Sequence, residues 1–289
     1  MKQIASILLA LVFALSLAAC GSTTEDIQKP SNVTTPDPQT NTEVTITETV
    51  LVEESGIKIT AKGLNTDSLF GPELKLLIEN NSGKNLTFQC NNASINGYMV
   101  ETLMSVEVVT GKKANDSLTF MDSDLADSGI TAIADMEFSF HIFETENWEA
   151  YLDTKTIVLK TSLADTFEYT YDDSGDLVYE GNDIKIVVKG LSKDPSIFGP
   201  GVVVYIENNS NQNVTVQAGD VSINGFMVEP IFSSSVVSGK RAVSTITFMD
   251  SDLEKNEISS IENIELSFHI FQTDNWDTIV DTDMVKLTF

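Results

Sequence analysis

The 289-residue sequence predicts an all-β protein built from two antiparallel β-sandwiches. Three observations predict it. First, Thr119-Phe120-Met121-Asp122-Ser123-Asp124-Leu125 returns unchanged as Thr247-Phe248-Met249-Asp250-Ser251-Asp252-Leu253, so the chain is an internal duplication with an offset of 128 residues. Second, apolar residues inside each copy recur with a period of two, which marks half-buried strands rather than helices. Third, Asn-Gly, Gly-Lys and Asp-Ser-Gly signals punctuate those runs at roughly the 8–12-residue spacing of an all-β domain.

The N-terminus is an address. Met1-Lys2-Gln3 carries one positive charge, Ile4 to Leu17 is apolar, and small residues lead to Leu17-Ala18-Ala19-Cys20. A basic start, a short apolar core and small residues at the cut describe an export signal, too short to span a bilayer. Leu-Ala-Ala-Cys resembles the lipobox of bacterial lipoproteins. That resemblance implies cleavage before Cys20, lipidation of its thiol and acylation of its new amine, with residues 1–19 as the signal peptide. Several acyl chains on one residue anchor firmly where a single chain is marginal. Residues 20–42 then form the lipidated Cys and a tether rich in Ser, Thr, Asn, Pro and Asp, too poor in apolar residues to build a core. Some 22 such residues reach roughly 25 Å.

The first copy occupies residues 43–161 and the second 162–289. Phe70-Gly71-Pro72 pairs with Phe198-Gly199-Pro200, Glu79-Asn80-Asn81-Ser82 with Glu207-Asn208-Asn209-Ser210, and Ser94-Ile95-Asn96-Gly97 with Ser222-Ile223-Asn224-Gly225. Ser139-Phe140-His141-Ile142-Phe143 pairs with Ser267-Phe268-His269-Ile270-Phe271, and Asn147-Trp148 with Asn275-Trp276. Upstream the offset drops to 127, so one residue was gained or lost near Asn65. A period this long means whole domains, not solenoid repeats.

Element by element, Ile57/Ile59/Ala61, Leu74/Leu76/Ile78, Leu86/Phe88/Cys90 and Phe138/Phe140/Ile142 each alternate with polar neighbours and predict strands. Asn96-Gly97 predicts a two-residue hairpin with both φ values positive. Asp122-Ser123-Asp124-Leu125 predicts a strand end and one short helical turn, capped by Asp122 or Ser123; Ser251-Asp252-Leu253-Glu254 fits a capping box. Seven or eight strands per copy favour an immunoglobulin-like (Ig-like) sandwich, without the disulfide that usually pins its sheets. The whole chain thus reads as two tandem Ig-like antiparallel β-sandwich domains after a lipoprotein signal peptide and flexible tether.

Taken together, Ile-Glu-Asn-Asn-Ser, Ser-Ile-Asn-Gly-(Tyr/Phe)-Met-Val and Ser-Phe-His-Ile-Phe resemble uncharacterised lipoproteins of Gram-positive bacteria. Those proteins carry Ig-like domains of unknown function in tandem. The resemblance implies a protein held at the outer face of the cell membrane by Cys20. It implies no catalytic residue.

Charge narrows the partners. Asp plus Glu number 43 against 17 Lys plus Arg, a net charge of −26. That opposes nucleic acid and anionic lipid surfaces, and suits cations or a basic partner. Asp122, Asp124, Asp250 and Asp252 are candidate Ca²⁺ ligands, since Ca²⁺ takes oxygen donors. Each copy supplies only two carboxylates locally and misses the EF-hand pattern, so helix capping is the favoured role. Asp172, Asp173 and Asp176 read as a solvated turn. His141 and His269 sit mid-strand with no neighbouring ligand or nucleophile, so they read as structural. Cys90 pairs with Ala218 and reads as a small apolar side chain.

Tyr98, Met99, Trp148, Phe226, Met227 and Trp276 fall at hairpin tips and loops. They either mark a binding surface or plug the sandwich ends, and plugging is the favoured reading. The expected function is therefore non-catalytic: a surface-anchored binding or adhesion protein for an extracellular protein or glycan, with duplication supplying avidity. The alternatives are a Ca²⁺-stiffened envelope spacer and, remotely, an enzyme with an unrecognised site.

Overall fold

The computed structural model describes residues 44–193 and 196–289. The signal, Cys20 and the expected tether lie outside the described residues. The first copy runs through β1 (Thr49–Glu54), β2 (Ile57–Asn65), β3 (Glu73–Asn80), β4 (Leu86–Ile95), β5 (Tyr98–Met99), β6 (Thr102–Leu103), β7 (Ser105–Val108), β8 (Lys112–Phe120), α1 (Asp122–Asp127), β9 (Asp135–Glu144), β10 (Ala150–Asp153) and β11 (Ile157–Lys160). The second copy repeats this plan as β12 (Asp176–Gly181), β13 (Ile184–Leu191), β14 (Gly201–Asn208), β15 (Val214–Ile223), β16 (Phe226–Met227), β17 (Pro230–Ile231), β18 (Ser233–Val236), β19 (Arg241–Phe248), α2 (Asp250–Lys255), β20 (Asn263–Gln272), β21 (Thr278–Asp281) and β22 (Val285–Thr288). More strand segments appear than the alternation alone predicted. The segments facing β9 and β20 are each split in two, and short two-residue pairs flank the hairpin tips.

Strand order explains how a copy closes on itself. One sheet runs β1-β2-β3-β8-β6; the other places β10 and β11 on β9, β9 on β4, and β7 on β4. The chain therefore crosses between sheets after β3, β5, β6, β7 and β8, and turns as hairpins within them elsewhere. This is the Greek-key order of an Ig-type sandwich, with β1 added at one edge. Inward residues of both sheets share one core, in which the Phe120 and Phe138 rings meet edge-on at 6.3 Å. Phe88, Phe120, Phe138 and Phe140 are at most 1% exposed. Burying each contributes roughly 1.5–3 kcal/mol, which offsets the missing disulfide.

Two sandwiches are present, but they share a sheet. β5 pairs with β19 through Tyr98 and Arg241, and this fuses six strands of the first copy to five of the second in one 11-stranded sheet. Both copies form one compact unit, Glu43–Phe289. Tyr98, Val187 and Tyr205 make a separate apolar cluster at that junction. The Arg241 guanidinium lies 3.7 Å from the centre of the Tyr171 ring and donates to Glu207 at 2.5 Å. Lys240 of the second copy pairs with Glu137 of the first at 2.6 Å, both largely shielded from solvent.

The hairpin and helix expectations met different outcomes. Asn96 and Gly97 hold φ of 49° and 82°, and Asn224 and Gly225 hold 51° and 85°, the geometry expected of the tight turn. The expected side-chain caps are corrected. Met121 and Met249 stand at the N-caps, and no side chain caps either helix. Backbone partners explain why: the Asp122 and Asp250 N–H groups donate to the Phe70 and Phe198 carbonyls at 2.9 and 2.8 Å. Asp124 and Asp252 turn sideways instead, and accept the Glu101 and Glu229 N–H groups at 2.6 and 3.2 Å.

Candidate functional site

The repeated motifs resolve first, because most of them interlock. The Phe120 and Phe248 N–H groups donate to the Pro72 and Pro200 carbonyls at 2.9 and 2.8 Å, so Phe-Gly-Pro and the heptapeptide form one clasp in each copy. Asn80 and Asn208 are fully buried. Each donates to two carbonyls, Lys84 and Val108 in one copy and Gln212 and Val236 in the other. Asn96 and Asn224 lash their hairpins to the loop before β9 or β20, donating to the carbonyls of Ala132 and Ser260. These identities between copies are structural.

The acidic candidates follow the same logic. Asp124 and Asp252 are engaged by backbone N–H groups, and among the described residues no three His, Cys, Asp or Glu side chains converge into a metal-holding group. Asp172 and Asp173 pair with Lys189 and Lys185 at 2.8 and 2.5 Å. The Lys189 hydrogen bond holds the Asp172 carboxyl well below the usual carboxylate range.

His141 and His269 do have partners that their sequence neighbours hide. Nδ1 of each meets a carboxylate, Asp153 at 2.5 Å and Asp281 at 2.6 Å. The repeated 12-residue spacing from His to Asp was the available signal. On the far side of each His the ladder places Gln89 or Gln217, and beyond it Ser105 or Ser233. A full strand separates hydroxyl from imidazole, so no nucleophile–base pair forms.

A groove of about 470 Å³ lies between the copies, with Cys90, Glu101, Asp124, Ser234 and Ser244 in its wall. Burial pushes the Cys90 thiol up to about 11, which silences it as a nucleophile at neutral pH. The Ser234 and Ser244 hydroxyls bond each other at 3.0 Å.

The loop aromatics divide. Tyr98 is 4% exposed and closed into the junction, and Met99 packs against the core of the second copy. Their counterparts Phe226 and Met227 are open to solvent. The expected plugging of the sandwich ends fails for the tryptophans, because Trp148 and Trp276 are 75% and 73% exposed. Each lies flat on a phenylalanine: Trp148 on Phe143 at 5.2 Å and 15°, Trp276 on Phe271 at 5.3 Å and 13°. One indole face is thereby covered and the other is left to solvent. His141 and His269 continue the aromatic row, 5.4 and 5.2 Å from those same phenylalanines.

The turn that presents each indole is strained. Trp148 and Trp276 have φ of 63° and 66°, a conformation costing a residue with a Cβ about 1–2 kcal/mol. It is held by Trp148 N–H donating to Glu144 O and Trp276 N–H to Gln272 O, both at 2.9 Å. Asn147 and Asn275 brace the turn, each accepting the N–H two residues on at 3.0 Å. Strain retained in both copies, around a side chain that adds little to the core, marks a candidate site. Comparison with protein-family models and with curated proteins finds no match for this chain.

Proposed function

We propose that this chain is a non-catalytic binding protein, anchored outside the membrane through Cys20 and presenting one tryptophan platform from each sandwich. The observation that carries the reading is the pair Trp148 and Trp276: exposed, stacked on a buried phenylalanine, and held left-handed in equivalent turns. Exposed large aromatics on rigid supports are the residues that dominate recognition surfaces. The Leu17-Ala18-Ala19-Cys20 run supports the anchor, and the duplication supports two linked contacts with shared avidity.

The test immobilises the full chain and the Trp148→Ala/Trp276→Ala double variant, then passes fractionated extracellular polymers and surface proteins over both. Wild type is expected to retain a fraction that the variant loses, at an unchanged thermal midpoint. Equal retention by the two proteins would overturn the platform reading. For the anchor, radiolabelled fatty acid should enter wild type and not Cys20→Ala; label in the variant would refute it.

A further inference from the structure

We propose that each indole platform is a docking point for an organic cation, and that the partner is a lysine- or arginine-rich polypeptide engaging both copies. This rests on the platform reading above and names its ligand chemistry.

The two turns differ in residues and agree in charge. The first reads Glu144-Thr145-Glu146-Asn147-Trp148-Glu149, the second Gln272-Thr273-Asp274-Asn275-Trp276-Asp277. Glu144 is paired with Lys84; the second copy has Gln272 and Gln212 in their places, so both arrangements are neutral there. What remains beside each indole is two carboxylates, Glu146 and Glu149 or Asp274 and Asp277, none in an ion pair with a basic side chain among the described residues. Side-chain length has drifted while the local charge has stayed at two negatives. An aromatic face is the negative pole of the ring quadrupole, and tryptophan is the strongest cation–π partner. A free indole face in a turn whose flanking carboxylates carry no basic partner therefore attracts an ammonium or guanidinium by two additive effects.

The neutral groups of the turn are already occupied. The Asn147 amide accepts the Glu149 N–H, and its NH₂ contacts Glu144 Oε2 at 3.4 Å. In the second copy the Asn275 NH₂ serves Gln272 Oε1 and Asp277 Oδ2, both at 3.0 Å. A sugar would look to such an amide for its hydroxyls, whereas a cation needs only the ring and the carboxylates. The net charge of −26 adds a long-range field that draws a polycation in. Two weak sites on one chain favour a ligand carrying several cations over a single small one.

The experiment titrates the full chain with deca-lysine by calorimetry, with tetramethylammonium and chitotetraose as comparison probes. Deca-lysine should bind saturably, and far more tightly than tetramethylammonium. Affinity should fall about tenfold in Trp148→Ala and in Trp276→Ala, and further in the double variant. Glu146→Gln/Glu149→Gln, which leaves the indole in place, should weaken binding by a similar factor. The affinity should also decline as salt screens the carboxylates. Absent binding, or equal deca-lysine affinity in wild type and double variant, would overturn the proposal, the latter because the net charge alone would explain it. Tryptophan-dependent binding of chitotetraose without deca-lysine would overturn the cation while leaving the platform function standing. Unchanged thermal midpoints keep each variant interpretable.

Discussion

Gly71 and Gly199 sit at φ of 128° and 143° against the backbone of the heptapeptide. A Cβ at Gly71 would lie 2.0 Å from the Phe120 carbonyl oxygen, and one at Gly199 2.1 Å from that of Phe248. Backbone cannot yield there without breaking the clasp. Gly71→Ala and Gly199→Ala should each cost about 2 kcal/mol or more, lowering the thermal midpoint by about 4–8 °C. Gly83 is the control: its φ is 87° but a Cβ there meets nothing, so Gly83→Ala should cost only the strain of the positive φ, about 1 kcal/mol and less than at Gly71 or Gly199. Equal losses at Gly71 and Gly83 would refute the close approach. Cys90 gives a second residue-scale expectation. With its thiol raised to about 11, iodoacetamide at pH 8 should label it at least about tenfold more slowly than an unfolded peptide thiol. Denaturant should abolish the difference. The apolar character of Cys90 was legible from Ala218 opposite it in the other copy; the groove it lines was not, because that groove exists only where two copies meet.

At the scale of elements, β3 and β14 each end on a buried asparagine that gathers three pieces of chain. Asn208 donates to the carbonyls after β14 and at the end of β18, while its Oδ1 accepts the Ser210 N–H and hydroxyl at 3.0 and 2.6 Å. Asn208→Asp replaces two donated hydrogen bonds by a buried carboxylate facing carbonyl oxygens. It should cost about 3 kcal/mol at pH 7. Burial raises such a carboxyl, so its penalty applies above the unfolded pKa of about 3.9 and is relieved as pH falls. Melts at pH 7 and pH 4 check this, and a variant no less stable than wild type at pH 7 would contradict the buried network. The helices teach the converse. Asp and Ser ahead of an apolar residue promised caps, yet the backbone of Phe-Gly-Pro took the first helical N–H and the link between β5 and β6 took the carboxylate. Local propensity placed each helical turn to within one or two residues and was wrong about what holds it, because the competing partners come from elsewhere in the chain.

Across the whole molecule, the junction is where the copies stop being alike. Tyr98, Tyr205 and Arg241 face one another there, while the equivalent positions are Phe226, Leu77 and Lys113. Burial pushes the hydroxyls of Tyr98, Tyr171 and Tyr205 upward, and that of Tyr169, which also donates to Asp135. A raised folded pKa means the neutral form is favoured in the fold. Their contribution is therefore complete below the unfolded value of about 10 and is lost as pH climbs through the folded values. Ultraviolet titration should show four of the six tyrosines ionising late, together with loss of the junction. Six tyrosines titrating together near pH 10 in the folded protein would contradict it. Arg241→Ala, which strips the guanidinium from Tyr171 and leaves Glu207 half-buried and unpaired, should lower the midpoint by about 4–8 °C.

The duplication, the strand period and the hairpin turns were determined by the sequence alone, because each is a short-range pattern: identity at a fixed offset, alternation every second residue, and Asn-Gly at two positive φ values. Fusion of two sandwiches through β5 and β19, the partners of the two histidines, and the exposure of Trp148 and Trp276 were decided by the tertiary structure. Each depends on which distant surfaces meet. Held at φ of 63° on the ring of Phe143, Trp148 faces water.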